Sequence, residues 1–254
     1  MLKSLTSLML LLCCSGIAAG QITIAAAADL NAVLPELTTE YQKVSGNSVT
    51  LAFGSSGSLF SQIQNGAPFD MFFSADEDYP RQLVEAGLAE QSSLYRYAIG
   101  KLVVWVPASS SLDVEEGGVK ILLDRSVKKI AIANPQHAPY GRAAEAALRH
   151  FGIYEQVGPR LVLGENVSQA AQFVESGSAQ AGLIALSHAL SPSLNGKGRY
   201  WLVPADAYPP LNQAAVILAR SSRKQEAANF LAFLKTRRAL AVLKRYGFAM
   251  PEEH

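Results

Sequence analysis

Short apolar runs alternate along this chain with stretches in which apolar residues recur at helical spacing. The apolar runs predict strands at 22–27, 49–53, 69–73, 97–106, 129–133, 161–163, 182–186 and 214–219. The helical spacing predicts helices at 30–44, 58–65, 80–86, 141–150, 167–175, 224–234 and 238–246. Strands that are separated by single helices are typical of parallel βαβ units, so the pattern predicts an α/β fold.

The first twenty residues have the pattern of a secretory signal peptide. Lys3 precedes an apolar run at 5–14, and small residues at 18–20 precede the predicted cleavage site. The run is too short to span a membrane. Both cysteines, Cys13 and Cys14, lie in this segment, so the exported chain would hold neither disulfides nor thiolate metal sites.

The charge balance argues against a nucleic-acid partner. The chain has 22 Lys and Arg against 21 Asp and Glu, and loss of Lys3 with the signal leaves 21 of each. A neutral chain without a basic run offers no field for nucleic acid or for an acidic membrane surface. A small anion would therefore have to be held by local dipoles.

The segment Gly54-Ser55-Ser56-Gly57-Ser58 joins a predicted strand to a predicted helix. Free backbone N–H groups and the positive end of a helix dipole make such a turn a natural anion site. A flexible connecting loop is the alternative, because Gly and Ser are common turn residues.

Three further junctions between strand and helix have related features, at 27–29, 134–141 and 164–168. Ligands of open α/β sheets bind beyond the carboxyl ends of the strands, where these junctions would lie. Four helix N-termini with neutral donors would suit a compact dianion. Each junction also has a structural alternative: Asp29 and Asn166 are ordinary N-cap residues, and Tyr140 after Pro139 could be a packed aromatic residue.

Other chemistry finds little support in the residue pattern. His137, His150, His188 and His254 lack the spacing of metal ligands, and no nucleophile elbow or phosphate-binding loop motif occurs. A secreted enzyme that uses Asp29 or His137 as a base would lack a nucleophile or metal partner. We therefore predict no catalytic residue, no cofactor and no metal coordinated directly by side chains.

Six segments together make the chain resemble the periplasmic molybdate-binding proteins of ABC importers. They are AAAADL (25–30), GSSGS (54–58), NGAPFDMFFSAD (65–76), YAIGKLVVW (97–105), IANPQHAPYG (132–141) and GENVSQA (164–170). The likeness spans essentially the whole exported chain. A sensory domain of a transcription regulator and a ferric-ion receptor are less favoured alternatives, since no DNA-binding helix pair and no adjacent tyrosine pair occurs at the junctions.

The resemblance implies a type II periplasmic-binding fold with two βα lobes joined by two crossover strands. Residues 1–20 would be the signal peptide, 21–103 plus 208–254 lobe one, and 104–207 lobe two. A monomer in the periplasm would capture molybdate, and tungstate as well, between the lobes. It would deliver the oxyanion to the importer's permease and ATPase. Phosphate or sulfate remains an alternative ligand.

The resemblance also implies which residues form the oxyanion site, namely Ala28, Asp29, Ser56, Tyr140 and Val167. Tyr140 and Val167 would contribute their backbone N–H groups, and Ser56 its hydroxyl. Asp29 departs from the expected neutral donors, because like charges 4 Å apart repel by about 4 kcal/mol at an effective dielectric constant near 20. The favoured expectation is that its carboxylate turns back to cap its own helix. Alternatively, the carboxylate accepts a proton from the ligand, which would favour monohydrogen phosphate.

Overall fold

The computed structural model describes residues 21–251, which form ten strands and ten α-helices. The strands are β1 Gln21–Ala27, β2 Ser48–Gly54, β3 Met71–Ser74, β4 Tyr95–Gly100, β5 Leu102–Pro107, β6 Ile130–Ala133, β7 Leu161–Gly164, β8 Ala181–Ala185, β9 Gly198–Leu202 and β10 Leu211–Ile217. The α-helices are α1 Val33–Ser45, α2 Ser56–Gln64, α3 Asp78–Glu85, α4 Val114–Gly117, α5 Pro139–His150, α6 Tyr154–Val157, α7 Val167–Glu175, α8 Leu186–Ala189, α9 Lys224–Leu234 and α10 Arg237–Arg245. Short 3-10 helices lie at Ala28–Leu30, Gln91–Ser93, Gly118–Leu123, Gly158–Arg160 and Ala205–Ala207. The predicted signal peptide lies outside the described residues.

The strands form two five-stranded sheets, one in each lobe. Sheet one has the order β2-β1-β3-β10-β4, and sheet two has the order β7-β6-β8-β5-β9. Within each sheet three strands are parallel, as the βαβ pattern predicts. The prediction of parallel pairing is wrong for β10 and β5, which run antiparallel to both neighbours. These are the strands by which the chain enters a sheet from the other lobe.

The chain leaves sheet one at Lys101, in the middle of the predicted strand 97–106. That run is two strands, β4 and β5, which pair in different sheets. Gly100 ends β4 against lobe two, where an added Cβ would lie 2.8 Å from the Gln213 amide nitrogen and overlap the Tyr140 hydroxyl. The return segment between β9 and β10 holds a 3-10 turn rather than the expected crossover strand. The lobe boundaries at 103 and 208 stay a prediction.

Apolar side chains on both faces of sheet one build lobe one. Phe73 faces α1 and α9 and packs with Phe230, whereas its neighbour Phe72 faces α2 and α3 and packs with Leu59. This opposite orientation follows from the two-residue period of a strand. Because both faces are covered, the carboxyl ends of β1, β2 and β3 are held rigidly at the edge that faces lobe two.

Two properties of residues 21–251 bear on the function. No helix in this part of the chain is long and apolar enough to cross a membrane. Among the same residues, no three His, Cys, Asp or Glu side chains come together as a group that could hold a metal ion.

Candidate functional site: a cavity between the lobes

A small cavity lies between the lobes, at the carboxyl ends of the strands. All five residues of the predicted oxyanion site line it, namely Ala28, Asp29, Ser56, Tyr140 and Val167. Its volume of about 10 Å³ gives room for roughly one water molecule. A ligand held here must therefore be compact.

The N-terminus of α2 and the Gly-Ser segment before it form one wall of the cavity. Ser55 is the N-cap, and its hydroxyl accepts a hydrogen bond from the Ser58 N–H (3.3 Å). The Gly57 N–H donates across the cleft to the carbonyl of His137 (2.9 Å). The Ser56 N–H, the first of the helix, has no intrahelical acceptor and stays available to a ligand.

The Ser56 hydroxyl is buried and already has one partner. Its oxygen accepts a hydrogen bond from the Ala75 N–H (2.9 Å) in the loop after β3. Since a hydroxyl can accept and donate at once, its hydrogen remains free for a ligand oxygen. The contact with Ala75 fixes the side chain at the cavity wall.

Helices α5 and α7 bring two more N-termini to the cavity from lobe two. In α5, Pro139 occupies the first turn without an N–H, and the Tyr140 N–H follows it. In α7, the Asn166 side chain caps the N–H groups of Ser168 (3.0 Å) and Gln169 (3.1 Å). This cap leaves the Val167 N–H uncommitted, so the structural role of Asn166 and a ligand role of Val167 are compatible.

Asp29 does not cap its own helix, so the favoured expectation for its side chain is wrong. Asp29 lies inside the 3-10 helix Ala28–Leu30, whose N-terminus has no side-chain cap. Its carboxylate instead turns to β10, where Oδ2 accepts a hydrogen bond from the Gln213 amide (2.5 Å). The second oxygen, Oδ1, is buried and has no hydrogen-bond partner in the described chain.

Burial raises the pKa of Asp29 from 3.8 to about 6. The hydrogen bond from Gln213, a smaller one from the backbone N–H of Asp29 itself and a weaker one with the Tyr140 hydroxyl oppose this shift without cancelling it. No Lys or Arg is among the described residues that line the cavity. The cavity therefore combines neutral donors with a single carboxyl group whose charge is marginal near neutral pH.

A buried polar cluster of Tyr97, Gln213 and Tyr140 holds the Asp29 carboxylate in place. The Tyr97 hydroxyl donates to Gln213 Oε1 (2.8 Å), which turns the Gln213 Nε2 group towards Asp29 and the Tyr140 hydroxyl (3.5 Å). Burial raises the pKa of both tyrosines well above the usual value, and the nearby Asp29 adds to the effect. Both hydroxyls are therefore neutral. Sequence reasoning missed Gln213, which directly precedes the predicted strand 214–219.

Polar contacts around the cavity join the two lobes in a closed arrangement. These are Arg142 with Asp76, the Ser58 hydroxyl with Glu165 (3.0 Å), the Ser55 hydroxyl with His137 Nδ1 (2.8 Å), the Asn31 amide with the Ser168 hydroxyl (2.7 Å), and the Ser187 hydroxyl with the Asp29 carbonyl (2.7 Å). Sequence reasoning did not find them, because each pair is far apart in the chain and local patterns do not encode which distant segments meet.

Comparison with known proteins identifies the family. Residues 22–249 match the family described as bacterial extracellular solute-binding protein. The molybdate-binding protein ModA of Rhodobacter capsulatus is 38% identical over 231 residues, which cover 91% of this chain and 89% of the relative. ModA of Azotobacter vinelandii is 38% identical over 240 residues, 94% of each chain. The chain belongs to the ModA family of bacterial extracellular solute-binding proteins.

A solved structure of a relative supports the fold of this ModA-family chain. The periplasmic molybdate-binding protein of Azotobacter vinelandii superposes with a TM-score of 0.86 at 36% identity, over 91% of this chain and 100% of that one. The expected two-lobe type II periplasmic-binding fold is thereby confirmed. Which of the five cavity residues contact a ligand stays a prediction.

Proposed function

We propose that the protein is a periplasmic receptor that captures molybdate, and also tungstate, between its lobes and releases it to an ABC importer. The observation that carries this proposal is the convergence of helix N-termini from both lobes on one cavity. N–H groups of Ser56, Tyr140 and Val167 can donate to a tetrahedral oxyanion from three directions. Two relatives at 38% identity are molybdate-binding proteins.

The proposed site binds without catalysis. Its donors are backbone N–H groups and the Ser56 hydroxyl, which can hold an oxyanion, and the Ser56 oxygen is contacted by the Ala75 N–H rather than by a base. Such donors are alike for molybdate, tungstate and sulfate, so discrimination among them would come from cavity size. Phosphate differs, because monohydrogen phosphate carries a proton that the Asp29 carboxylate could accept.

Isothermal titration of the exported chain with molybdate, tungstate, sulfate and phosphate tests the ligand. We expect one molybdate per chain and a similar response to tungstate, with sulfate and phosphate much weaker. Tight binding of phosphate with no response to molybdate would overturn the proposal. It would favour the proton-accepting role of Asp29 instead.

The proposed role includes delivery to a permease and its ATPase by a monomeric receptor. Family membership among extracellular solute-binding proteins supports an external location, and the signal pattern of residues 1–20 supports export. Deletion of the coding sequence should abolish molybdate uptake from micromolar or lower concentrations. Uptake that is unchanged after deletion would argue against the transport role while leaving the binding role open.

A further inference from the structure

Asp29 carries the one carboxyl group among the described residues that line the cavity, whose hydrogen-bond donors are otherwise neutral. It is buried, it lines the cavity, and it stands among N–H groups that would surround an anion. One of its oxygens accepts a hydrogen bond from Gln213, and the other has no hydrogen-bond partner among residues 21–251. A buried carboxylate oxygen without a partner is unfavourable, so its presence at a binding site calls for a ligand contact.

We propose that Asp29 is a specificity-determining residue that takes up one proton from solvent as a dianionic oxyanion binds, so that Oδ1–H donates a hydrogen bond to a ligand oxygen. The inference rests on the proposed function. In charge balance, the dianion and one proton enter together, and the site gains one net negative charge instead of two. Neither a bond within the ligand nor an oxidation state changes.

The geometry of the cluster leaves one place for the proton. Oδ2 must accept the Gln213 Nε2–H, because Gln213 Oε1 is already occupied by the Tyr97 hydroxyl. The proton therefore belongs on Oδ1, which accepts no hydrogen bond of normal geometry from the described residues. The cluster thus holds Asp29 in an orientation in which the protonated form is fully satisfied once a ligand oxygen accepts from Oδ1.

Comparison of the two charge states favours the protonated one. A unit like-charge pair 4 Å apart at an effective dielectric constant near 20 lowers affinity by about a thousandfold. The pKa of Asp29 is about 6 in this closed arrangement of the lobes. Protonation at pH 7 therefore lowers affinity only about tenfold. Proton uptake is the more favourable way to admit a dianion.

The other titratable groups near Asp29 do not compete for this proton. Tyr97 from β4 and Tyr140 from α5 face it and are neutral, and Tyr208 lies beside Tyr140 with its hydroxyl on the Leu102 N–H. His188 from α8 lies against the backbone of Ala28, and burial lowers its pKa to about 4. Above pH 6, Asp29 is therefore the group in this cluster expected to change charge.

Calorimetric titration with molybdate counts the protons directly. At pH 8, titrations in two buffers with different ionisation enthalpies should show uptake of about one proton per molybdate bound. Between pH 7 and pH 8 the Kd should rise nearly tenfold, since the required proton becomes ten times scarcer, and the rise should flatten towards pH 9, where the ligand-bound carboxyl group begins to ionise. Binding without proton uptake and with a Kd independent of pH would overturn the inference.

Asp29→Asn is the decisive variant, because asparagine is nearly isosteric with aspartate. Its amide oxygen still accepts a hydrogen bond from Gln213. Its amide N–H can donate to the ligand without the uptake of a proton from solvent. We expect it to bind molybdate with no proton uptake and a flat pH profile, and to bind more tightly than the wild type at pH 9. Asp124→Asn, at an exposed carboxylate of lobe two, should retain the wild-type slope. A slope that persists in Asp29→Asn would assign the proton to another group and overturn the inference.

Failure of the proposed function would look different from failure of this inference. If molybdate does not bind the wild type at any pH while phosphate does, the ligand is wrong. If molybdate binds the wild type with no proton uptake, the ligand is right and the role of Asp29 is wrong.

Discussion

Ser56 shows how one hydroxyl can serve both the fold and the site. Its oxygen accepts the Ala75 N–H (2.9 Å) inside lobe one, while its hydrogen is free at the cavity. The two halves of this role predict two separable effects of removing the hydroxyl, one on ligand affinity and one on the stability of the empty protein.

Ser56→Ala should weaken molybdate binding by roughly 1.5–3 kcal/mol, or about ten- to a hundredfold, because a hydrogen bond to a charged ligand is lost. It should also lower the free energy of unfolding by about 1–3 kcal/mol, since the buried Ala75 N–H loses its acceptor. Titration calorimetry and urea denaturation measure the two effects. Ser61→Ala, on the exposed face of the same helix, should change neither. An unchanged affinity in Ser56→Ala would show that the hydroxyl is not a ligand.

Asp29 and His188 have opposite effects on how stability depends on pH. The pKa of Asp29 is raised from 3.8 to about 6, so its folded state binds a proton more readily than the unfolded chain, and stability falls as pH rises through this range. The pKa of His188 is lowered from 6.5 to about 4, so stability falls as pH drops through that range. Between pH 4 and 6 the two contributions largely offset each other in the ligand-free protein.

Asp29→Asn should reveal the His188 contribution. We expect the variant to be more stable than the wild type at pH 7, by up to about 3 kcal/mol, because a buried charge is removed. From pH 7 to pH 5 it should lose about 2 kcal/mol, whereas the wild type should lose less than about 1 kcal/mol. Urea denaturation without ligand at both pH values measures the difference. Parallel losses in the two proteins would contradict the assigned shift of Asp29.

At the scale of elements, the helix N-termini were predictable and the partners of their side chains were not. Local residue types encode an N-terminus, so Asn166 before α7 could be read directly, whereas α2 begins at Ser56, two residues before the predicted start at 58. Orientation of Asp29 depends on Gln213, which is distant in sequence, and local reasoning therefore chose a cap. The break at Lys101 was missed because β-forming residues continue on both sides of it while the chain changes sheets.

Sequence reasoning also misplaced the start of the first helix. Pro35 falls within the predicted helix 30–44, where it would interrupt a hydrogen bond. The α-helix begins instead at Val33, which places Pro35 in the first turn, where no intrahelical N–H is needed. The preceding residues form the separate 3-10 turn that carries Ala28 and Asp29 to the cavity.

Gly57 in the first turn of α2 is predicted to be required for closure. An added Cβ would lie 2.7 Å from the backbone oxygen of His137 in lobe two and 2.9 Å from its Cβ. Gly57→Ala should therefore leave each lobe folded, reduce molybdate affinity at least tenfold, and diminish the compaction on ligand binding that small-angle X-ray scattering detects. Gly158→Ala provides the control, since nothing lies within 4 Å of the added carbon. Wild-type compaction in Gly57→Ala would refute the role of this contact.

The whole molecule has no strong field with which to attract an oxyanion. Its formal charge is +1 with the signal segment included, and no Lys or Arg is among the described residues that line the cavity. Long-range steering is correspondingly weak, so the receptor depends on retention rather than on fast capture. We expect the polar contacts between the lobes to determine the rate at which ligand leaves.

Arg142 makes the principal ion pair of the closed arrangement. It extends from α5 in lobe two to Asp76 in lobe one, and its guanidinium also contacts the Tyr79 hydroxyl (3.4 Å). Burial raises the pKa of Asp76, and Arg142 opposes that shift. The ion pair therefore stabilises the charged form of a carboxylate that closure removes from water. Removal of the arginine should therefore destabilise the closed form and leave the open form almost unaffected.

Arg142→Ala should raise the molybdate dissociation rate about fivefold, equivalent to about 1 kcal/mol for a partly exposed pair, with little change in the association rate. Stopped-flow tryptophan or tyrosine fluorescence measures both rates. Arg149→Ala is the matched control, because Arg149 lies on the same helix and pairs within lobe two with Glu145 (2.7 Å). High salt should reduce the difference between Arg142→Ala and the wild type, since it screens the pair. Equal dissociation rates for the two variants would show that this ion pair does not hold the lobes together.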